Sequence, residues 1–171
     1  MQERSAAYKN AGVDIQAARE FVNRIKGLVS STFTKGVLTE IGSFGGMFKL
    51  NTSQMSDPVL VAATDGVGSK LKLAFELDKH DTIGIDLVAM SVNDIVVQGA
   101  TPLFFLDYLA VGQLDADQAE KVVSGIVAGC KQAKCALLGG ETAELPDFYS
   151  SGEYDLSGFC VGLVDNAKIV D

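Results

Sequence analysis

The chain has 171 residues, 47% of them apolar, which fits one globular domain and excludes disorder for most of its length. Its 22 acidic residues outnumber 14 lysines and arginines, so the formal net charge of −8 argues against partners such as nucleic acid or an anionic membrane. There is no apolar run long enough to predict a membrane span, and the polar first residues predict no signal peptide. We expect a cytoplasmic protein whose three cysteines are reduced and mostly buried.

The first part of the chain predicts one helix followed by an irregular segment. Asp14 is a candidate N-cap for a helix that ends near Val29, because apolar residues recur at helical spacing between them. Residues 30–56 show no clear periodicity and include the glycine-bearing run from Gly42 to Gly46. We therefore divide the chain into residues 1–56, a helix with a mobile glycine-bearing segment, and residues 57–171, an α+β domain.

The second part predicts alternating strands and helices. The elements are a strand from Pro58 to a turn at 64–66, a brief helix over 70–77, a helix over 81–98, a strand over 103–111, a helix capped by Asp115, a strand over 135–140, and a last strand around 159–163. This order predicts an α+β fold, a mostly antiparallel four-stranded sheet with helices on one face. Several strands are apolar on both faces, which favours a partner subunit over the other face.

The segment TDGVGSK, residues 64–70, follows a predicted buried strand. It combines the carboxylate of Asp65, two glycines, a hydroxyl and the ammonium of Lys70. Glycines let a backbone approach a ligand closely, and successive N–H groups can bind phosphate. A phosphate site and an ordinary glycine turn with a solvated lysine both fit this segment. It is not a Walker A loop, because the glycine spacing is wrong and Leu71 stands in the hydroxyl position.

The predicted helix over 81–98 is apolar on nearly all sides, so it should be largely buried, yet it carries Asp86, Asn93 and Asp94. Asp86 and Asn93 are seven residues apart and share a face. A buried carboxylate costs several kcal/mol unless it is paired or binds a cation. Hydrogen bonds to backbone amides of a neighbouring turn and coordination of Mg2+ both remain open explanations.

The segment GGETAELPD, residues 139–147, supplies a third acidic group through Glu141. Its two leading glycines indicate a close backbone approach, although a charged loop is the alternative. The single histidine, His80, is expected to be structural or exposed. Asp107 fits either a buried position near the cation site or a solvent-facing position at a strand edge. Three acidic segments and one glycine–lysine loop together predict a nucleotide held through bridging magnesium.

Four motifs resemble the phosphoribosylformylglycinamidine cyclo-ligase family and run in order through nearly the whole chain. They are YKNAGVDI at 8–15, TDGVGSK at 64–70, HDTIGIDLVAMSVNDIVVQGATPLFFLDYLA at 80–110 and GGETAELPDFY at 139–149. Ser69 stands where the family commonly has Thr, and Leu145 where Met is common. Residues 30–56 match less well outside the glycines.

The resemblance implies an ATP-dependent ring closure in purine biosynthesis. ATP would phosphorylate the formyl oxygen of formylglycinamidine ribonucleotide, and an amidine nitrogen would then close the imidazole ring with release of ADP and phosphate. The implied magnesium ligands are Asp65 and Asp94, and the implied catalytic residues are these two with Lys70 and Glu141. The implied nucleotide-binding residues are Lys26, Thr64, Asp65, Gly66, Gly68, Ser69, Lys70, Asn93, Asp94, Gly140, Glu141 and Thr142.

Members of the family are about twice as long, so the chain resembles their amino-terminal domain alone. The resemblance implies a barrel-like homodimer, an active cleft between the two domains of a subunit, and a mobile cover at Gly42 to Gly46. We expect the isolated chain to dimerise and to show little turnover. Two alternatives remain: another ATP-dependent member of the superfamily, such as thiamine monophosphate kinase, and a non-catalytic dimerisation or nucleotide-binding module.

Overall fold

The computed structural model describes residues 15–43 and 45–170, so the predicted N-cap Asp14 lies outside the described residues. The helices are α1 (Ile15–Ser30), α2 (Leu71–Glu76), α3 (Ile83–Val96) and α4 (Ala116–Ala133). The strands are β1 (Pro58–Gly66), β2 (Thr101–Val111), β3 (Ala136–Glu144) and β4 (Tyr154–Asp165). Short 3-10 helices occupy Gly68–Lys70 and Asn166–Lys168. No helix of the described residues is long and apolar enough to cross a bilayer.

The four strands form one sheet in the order β1–β4–β2–β3. Strand β4 is antiparallel to β1 and β2, whereas β2 and β3 are parallel. The predicted α+β fold with a mostly antiparallel four-stranded sheet is therefore confirmed. Because β1, β2 and β3 run in one direction, their carboxyl ends lie together at one end of the sheet, beside the start of β4.

Two predicted boundaries are tested by the strand and helix ends. The predicted N-cap of α4 is confirmed, because Asp115 Oδ1 accepts the backbone N–H groups of Asp117 and Gln118 at 2.9 and 3.1 Å. Strand β3 is longer than predicted and continues to Glu144, so Glu141 lies within a strand rather than after it. Pairing with β2 extends β3, since Tyr108 to Val111 stay in register with residues 141–144.

The core lies between one face of the sheet and the helices. Its largest fully buried side chains include Phe21, Leu87, Ile95, Phe105, Leu109, Ile126, Leu137 and Leu156. Helices α3 and α4 approach closely at glycines, because a Cβ at Gly129 would lie 2.8 Å from Val88 Cβ. Helix α1 packs on α4, where Arg24 pairs with Asp117 at 2.6 Å. Helix α1 therefore lies beside the β3 edge, and α3 lies above β1 and β4.

Two expectations of burial were wrong. Strand β1 is an edge strand whose residues alternate between exposed and half-buried, rather than a buried strand. Helix α3 buries only one side and leaves Val96 and Val97 exposed. The physical reason is that α3 lies in the outer layer, where the sheet and α4 cover its inner sides and nothing in the described chain covers the rest.

The second face of the sheet is apolar and only partly covered. Phe48 covers β2, with its ring centroid 5.3 Å from that of Phe104, and Gly46 lies against Leu138 of β3. On the other half of this face, Leu60 of β1 and Phe159 of β4 are 56% and 49% exposed. We call this exposed half, centred on Leu60 and Phe159, the open face.

Candidate functional site

Two of the candidate segments, residues 64–70 and 139–147, lie in one row with Asp107 at the carboxyl end of the sheet. Gly158 of β4 pairs with Asp65 of β1 on one side and with Asp107 of β2 on the other. Asp107 pairs in turn with Gly140 of β3. Residues that are directly opposite in paired strands point to the same face, so Asp65 and Asp107 both point to the face that the helices cover. With strands about 4.8 Å apart, their Cα atoms are roughly 10 Å apart.

The Asp107 carboxylate fills the space above Gly140. A Cβ added at Gly140 would overlap Asp107 Oδ1, and one added at Gly158 would overlap the ring of Phe105. Burial raises the pKa of Asp107 to about 7, with a hydrogen bond from its own backbone N–H opposing the shift and the charge of Glu141 adding to it. The position that the sequence left open for Asp107 is therefore on the covered face, and the predicted close approach at Gly140 is made by this carboxylate.

A cleft of about 650 Å³ lies beside the β3 edge, between α1 and residues 40–43 and 45–46. Phe21, Ile25 and other apolar residues of α1 form one wall, and Asp107, Glu141 and Thr142 belong to the sheet wall. Gly140 also lines it, as do Gly42, Gly45 and Gly46 of the glycine-bearing run. The cleft thus brings together the candidates of β3 with Asp107, whose position the sequence had left open.

Lys26 reaches this cleft through an ion pair. Its Nζ lies 2.5 Å from Glu40 Oε2, and both side chains are more than half exposed. The hydrogen bond and charge of Lys26 lower the pKa of Glu40, which lines the cleft. Lys26 is therefore at the β3 side of the sheet and makes no described contact with the turn at residues 66–70.

The turn after β1 carries the second group of candidates. Asp65 is half-buried and its Oδ1 accepts the N–H of Gly66 at 2.7 Å. Gly68 has a φ of +64°, a left-handed conformation that favours glycine. Thr64 and Ser69 are exposed on either side of this turn. Gly68 and Ser69 are therefore accessible to a ligand, whereas the N–H of Val67 is donated to the carbonyl of Leu156 at 3.0 Å.

Lys70 is held by the first half of α3. Its Nζ lies 2.6 Å from Asp86 Oδ2 and 3.0 Å from Met90 Sδ. The Asp86 oxygen is buried and makes no hydrogen bond of good geometry, so its contact with Lys70 is an ion pair. Asp86 is thus paired with Lys70, a partner that the sequence did not identify because tertiary packing alone brings residues 70 and 86 together.

Asn93 and Asp94 lie elsewhere on α3. Both are exposed, and the adjacent Ile95 packs on Gly162, which pairs with Val61 of β1. Val61 is about 13 Å along the strand from Asp65 at 3.3 Å per residue. The structure therefore does not bring Asp65 and Asp94 into contact, and residues 15–43 and 45–170 contain no group of three or more His, Cys, Asp or Glu that could hold a metal.

His80 and the cysteines are structural. His80 is 2% exposed, with Nδ1 2.9 Å from the Tyr154 hydroxyl and Nε2 3.2 Å from Asp78 Oδ1. Burial raises the pKa of Tyr154. The three cysteines are free and buried, as expected, and burial raises the pKa of Cys160 to about 12. A nucleophilic role for these groups finds no support in their surroundings.

Comparison with known proteins gives a family match over most of the chain. Residues 47–164 match the family described as AIR synthase related protein, N-terminal domain. A phosphoribosylformylglycinamidine cyclo-ligase from Oleidesulfovibrio alaskensis is 66% identical over 170 residues, which cover 99% of this chain and 48% of that protein. One from Trichlorobacter lovleyi is 64% identical over 171 residues, which are 49% of its length. The chain spans about half the length of the curated relatives it matches.

Solved structures share the fold at low sequence identity. A thiamine-monophosphate kinase from Stenotrophomonas maltophilia K279a gives a TM-score of 0.64 at 23% identity, over 87% of this chain and 43% of that one. The hydrogenase maturation protein HypE in complex with ATP gives 0.61 at 18% identity, over 94% and 44%. These two likenesses show the fold alone. The match over residues 47–164 shows that the chain belongs to the AIR synthase related family, as its N-terminal domain.

Proposed function

We propose that this chain is the nucleotide-binding part of a phosphoribosylformylglycinamidine cyclo-ligase. The full-length enzyme would use ATP to convert formylglycinamidine ribonucleotide to aminoimidazole ribonucleotide, with release of ADP and phosphate, in purine biosynthesis. The observation that carries the proposal is the 66% identity to a relative of that name over 99% of the chain. The three free cysteines of this chain support a cytoplasmic location for the reaction.

The nucleotide phosphates are proposed to bind at the turn after β1. Gly68 and Ser69 are exposed in this turn, Gly68 has a left-handed backbone, and the side chain of Lys70 is 47% exposed beside them. A structural neighbour, HypE, is in complex with ATP, which supports a nucleotide on this fold. Lys70 would stabilise charge on the phosphates while Asp86 fixes the position of its ammonium group.

Magnesium is the ion that the donor chemistry at this site fits. Asp65 and Asp94 offer carboxylate oxygens, and within the described chain neither is paired with a lysine or arginine. Mg2+ usually takes one or two carboxylates together with substrate phosphates, so two separated aspartates fit ions shared with a nucleotide. When bound, Mg2+ would offset the negative charge that the phosphates bring to an acidic chain.

The cleft beside β3 is proposed to take part in the same reaction. Gly140, Glu141 and Thr142 line it, and Lys26 reaches its edge through Glu40. Catalysis of this kind depends on positioning and on charge stabilisation rather than on covalent chemistry with the protein. Glu141, at the same end of the sheet as Asp65, is proposed to contact the nucleotide or substrate, with Gly42 to Gly46 as a cover over the cleft.

The open face is proposed to be covered by a second copy of the chain. Leu60 and Phe159 are large, apolar and about half exposed on adjacent strands. Contiguous exposed apolar surface of this kind marks an interaction site. A homodimer in which two sheets face each other would bury it, and the same surface supports the alternative of a non-catalytic dimerisation module.

Calorimetric titration of this chain with ATP and magnesium tests nucleotide binding. We expect binding by the unmodified chain and at least a tenfold weaker affinity in Asp65→Ala, Asp94→Ala and Lys70→Ala. Lys79→Ala is the matched control, because Lys79 is an exposed lysine that pairs with Asp81 at 2.9 Å. Absence of binding to the unmodified chain would favour the dimerisation module instead.

The reaction itself is tested on the full-length protein. We expect ADP release to depend on formylglycinamidine ribonucleotide and not on thiamine monophosphate. Stimulation by thiamine monophosphate alone would assign the protein to the kinase branch of the same fold. The isolated 171-residue chain is expected to show little turnover with either substrate.

A further inference from the structure

Asp107 is a half-buried acid of the cleft that makes no ion pair with a lysine or arginine among the described residues. Glu40 pairs with Lys26, and Glu144 Oε1 accepts the backbone N–H of Leu114 at 2.9 Å. Within residues 15–43 and 45–170, Asp107 accepts a hydrogen bond only from its own backbone N–H and has no ion pair. A carboxylate that is half-buried in this way has most to gain from a cation brought by a ligand.

The groups that face Asp107 are acidic or neutral. Burial, with a smaller effect from the charge of Glu141 on β3, raises the pKa of Asp107. A hydrogen bond with Cys135 and burial, with a smaller effect from the charge of Asp107, raise the pKa of Cys130 on α4. Cys160 of β4 lies one pair further along the same face, opposite Phe105. Across the cleft, α1 contributes apolar residues, and Glu40, Glu144 and Tyr108 are the other titratable residues that line it. A cationic substrate group would therefore meet no competing positive side chain at this point of the cleft.

We propose, resting on the proposed function, that Asp107 is the general base of the ring closure. Formylglycinamidine ribonucleotide carries an amidine, which is a planar cation when protonated and matches a carboxylate as a guanidinium group does. The Asp107 carboxylate binds this group and takes a proton from nitrogen. The neutral amidine then forms the new C–N bond to the phosphorylated formyl carbon.

The proton and electron balance of this step is complete. The N–H electrons stay on nitrogen as the proton moves to Asp107, and the nitrogen lone pair forms the C–N bond. The C–O bond to phosphate breaks, and phosphate leaves with that electron pair. Asp107 then returns its proton to solvent through the open side of the cleft. No oxidant or further reactant is needed beyond the ATP that the proposed reaction consumes.

The acid–base properties of Asp107 suit this role. A general base works best when its pKa is near the operating pH, and burial brings the pKa of Asp107 to about 7. An ordinary surface aspartate would be a far weaker base towards an amidinium ion. Gly140 contributes by leaving room for the carboxylate.

The test is the pH dependence of ring closure by the full-length enzyme. We expect kcat of the unmodified enzyme to fall on the acid side with an apparent pKa near 7. In Asp107→Asn we expect kcat to fall about 10²- to 10⁴-fold and to lose its fall on the acid side, which we call the acid limb. The KM for ATP of this variant should stay within twofold of that of the unmodified enzyme. Asp165→Asn is the matched control, because Asp165 is a buried aspartate outside the cleft whose Oδ2 accepts the Ser56 N–H at 2.7 Å. This variant should keep the fall of kcat on the acid side.

The role of Asp107 as general base would be overturned if Asp107→Asn kept a kcat within threefold of the unmodified enzyme, or if it kept the acid limb. If that variant does not fold, the unmodified enzyme decides, because a kcat that is flat between pH 6 and 8 contradicts a base with this pKa. An unmodified enzyme with no turnover of formylglycinamidine ribonucleotide overturns the proposed function and this role together. Normal turnover with an unaffected variant overturns the role of Asp107 alone.

Discussion

Asp107 and Gly140 are direct neighbours on parallel strands, and the carboxylate of the first occupies the place that a side chain on the second would need. The glycine before Glu141 is therefore required by the packing of Asp107, a half-buried acid two strands away from Asp65. The same row of the sheet holds Gly158, whose missing side chain makes room for Phe105. Two glycines thus allow one strand to carry both a large ring and a carboxylate on its covered face.

Gly140→Ala should destabilise the protein, because its methyl group would displace the Asp107 carboxylate. Overpacking of this kind costs roughly 1–3 kcal/mol of the free energy of unfolding. Gly139→Ala is the matched control, since a Cβ there would lie 3.8 Å from Leu106, an ordinary contact. Urea denaturation of the two variants measures the difference. Equal stability of the two would contradict the contact between Asp107 and Gly140.

Asp107 should make the protein less stable as pH rises from about 4 to 7. The folded state holds the proton up to a pKa of about 7, whereas the unfolded chain releases it near the ordinary value of 3.8. The unfolded state therefore binds fewer protons in this range, and the free energy of unfolding falls by roughly 2–4 kcal/mol from this group.

The difference between Asp107→Asn and the unmodified chain isolates this contribution from other carboxyl groups. Asp165 should instead make the protein more stable as pH rises, because a hydrogen bond from the Ser56 backbone N–H lowers its pKa. We expect the asparagine variant to gain stability relative to the unmodified chain between pH 4.5 and 8, in chemical denaturation at each pH. A stability difference that does not change with pH would show that Asp107 titrates normally.

Tyr154→Phe should destabilise the protein by about 1–3 kcal/mol, because it leaves the buried His80 Nδ1 without its hydrogen bond. Thermal or urea unfolding measures the loss. Tyr149→Phe is the control, since Tyr149 lies in the loop before β4 and is less buried. If both substitutions lower the free energy of unfolding by the same amount, the hydrogen bond to His80 has no net stabilising effect.

Leu60→Glu should convert a dimer to a monomer without unfolding the chain. The side chain is 56% exposed on the open face, so a charge there costs the isolated fold little and opposes burial against a second copy. Leu77→Glu is the control, because Leu77 is 72% exposed but lies next to α2, away from the sheet. Sedimentation analysis distinguishes the species. A dimer that survives Leu60→Glu would place the interface elsewhere.

Local sequence was sufficient where the signal itself is local. The apolar spacing of α4 and the Asp115 cap predicted the start of that helix, and the run Leu103–Val111 predicted β2. The turn at Gly68 was found for the same reason, because its positive φ depends on glycine at that one position. The site residues of β1 and β3 were singled out by residue type, and their separate roles stay predictions.

Contacts between distant segments were beyond local patterns. The pairing of Lys70 with Asp86 and the burial of Asp107 against Gly140 depend on which strands and helices become neighbours. The expected burial of α3 was wrong because an apolar composition does not say which sides other elements will cover. Composition, periodicity and motif order determined the elements, the layered fold and the resemblance to a family. The tertiary structure alone decided which charges meet and which carboxylate is buried, because desolvation and ion pairing depend on distances through space rather than along the chain.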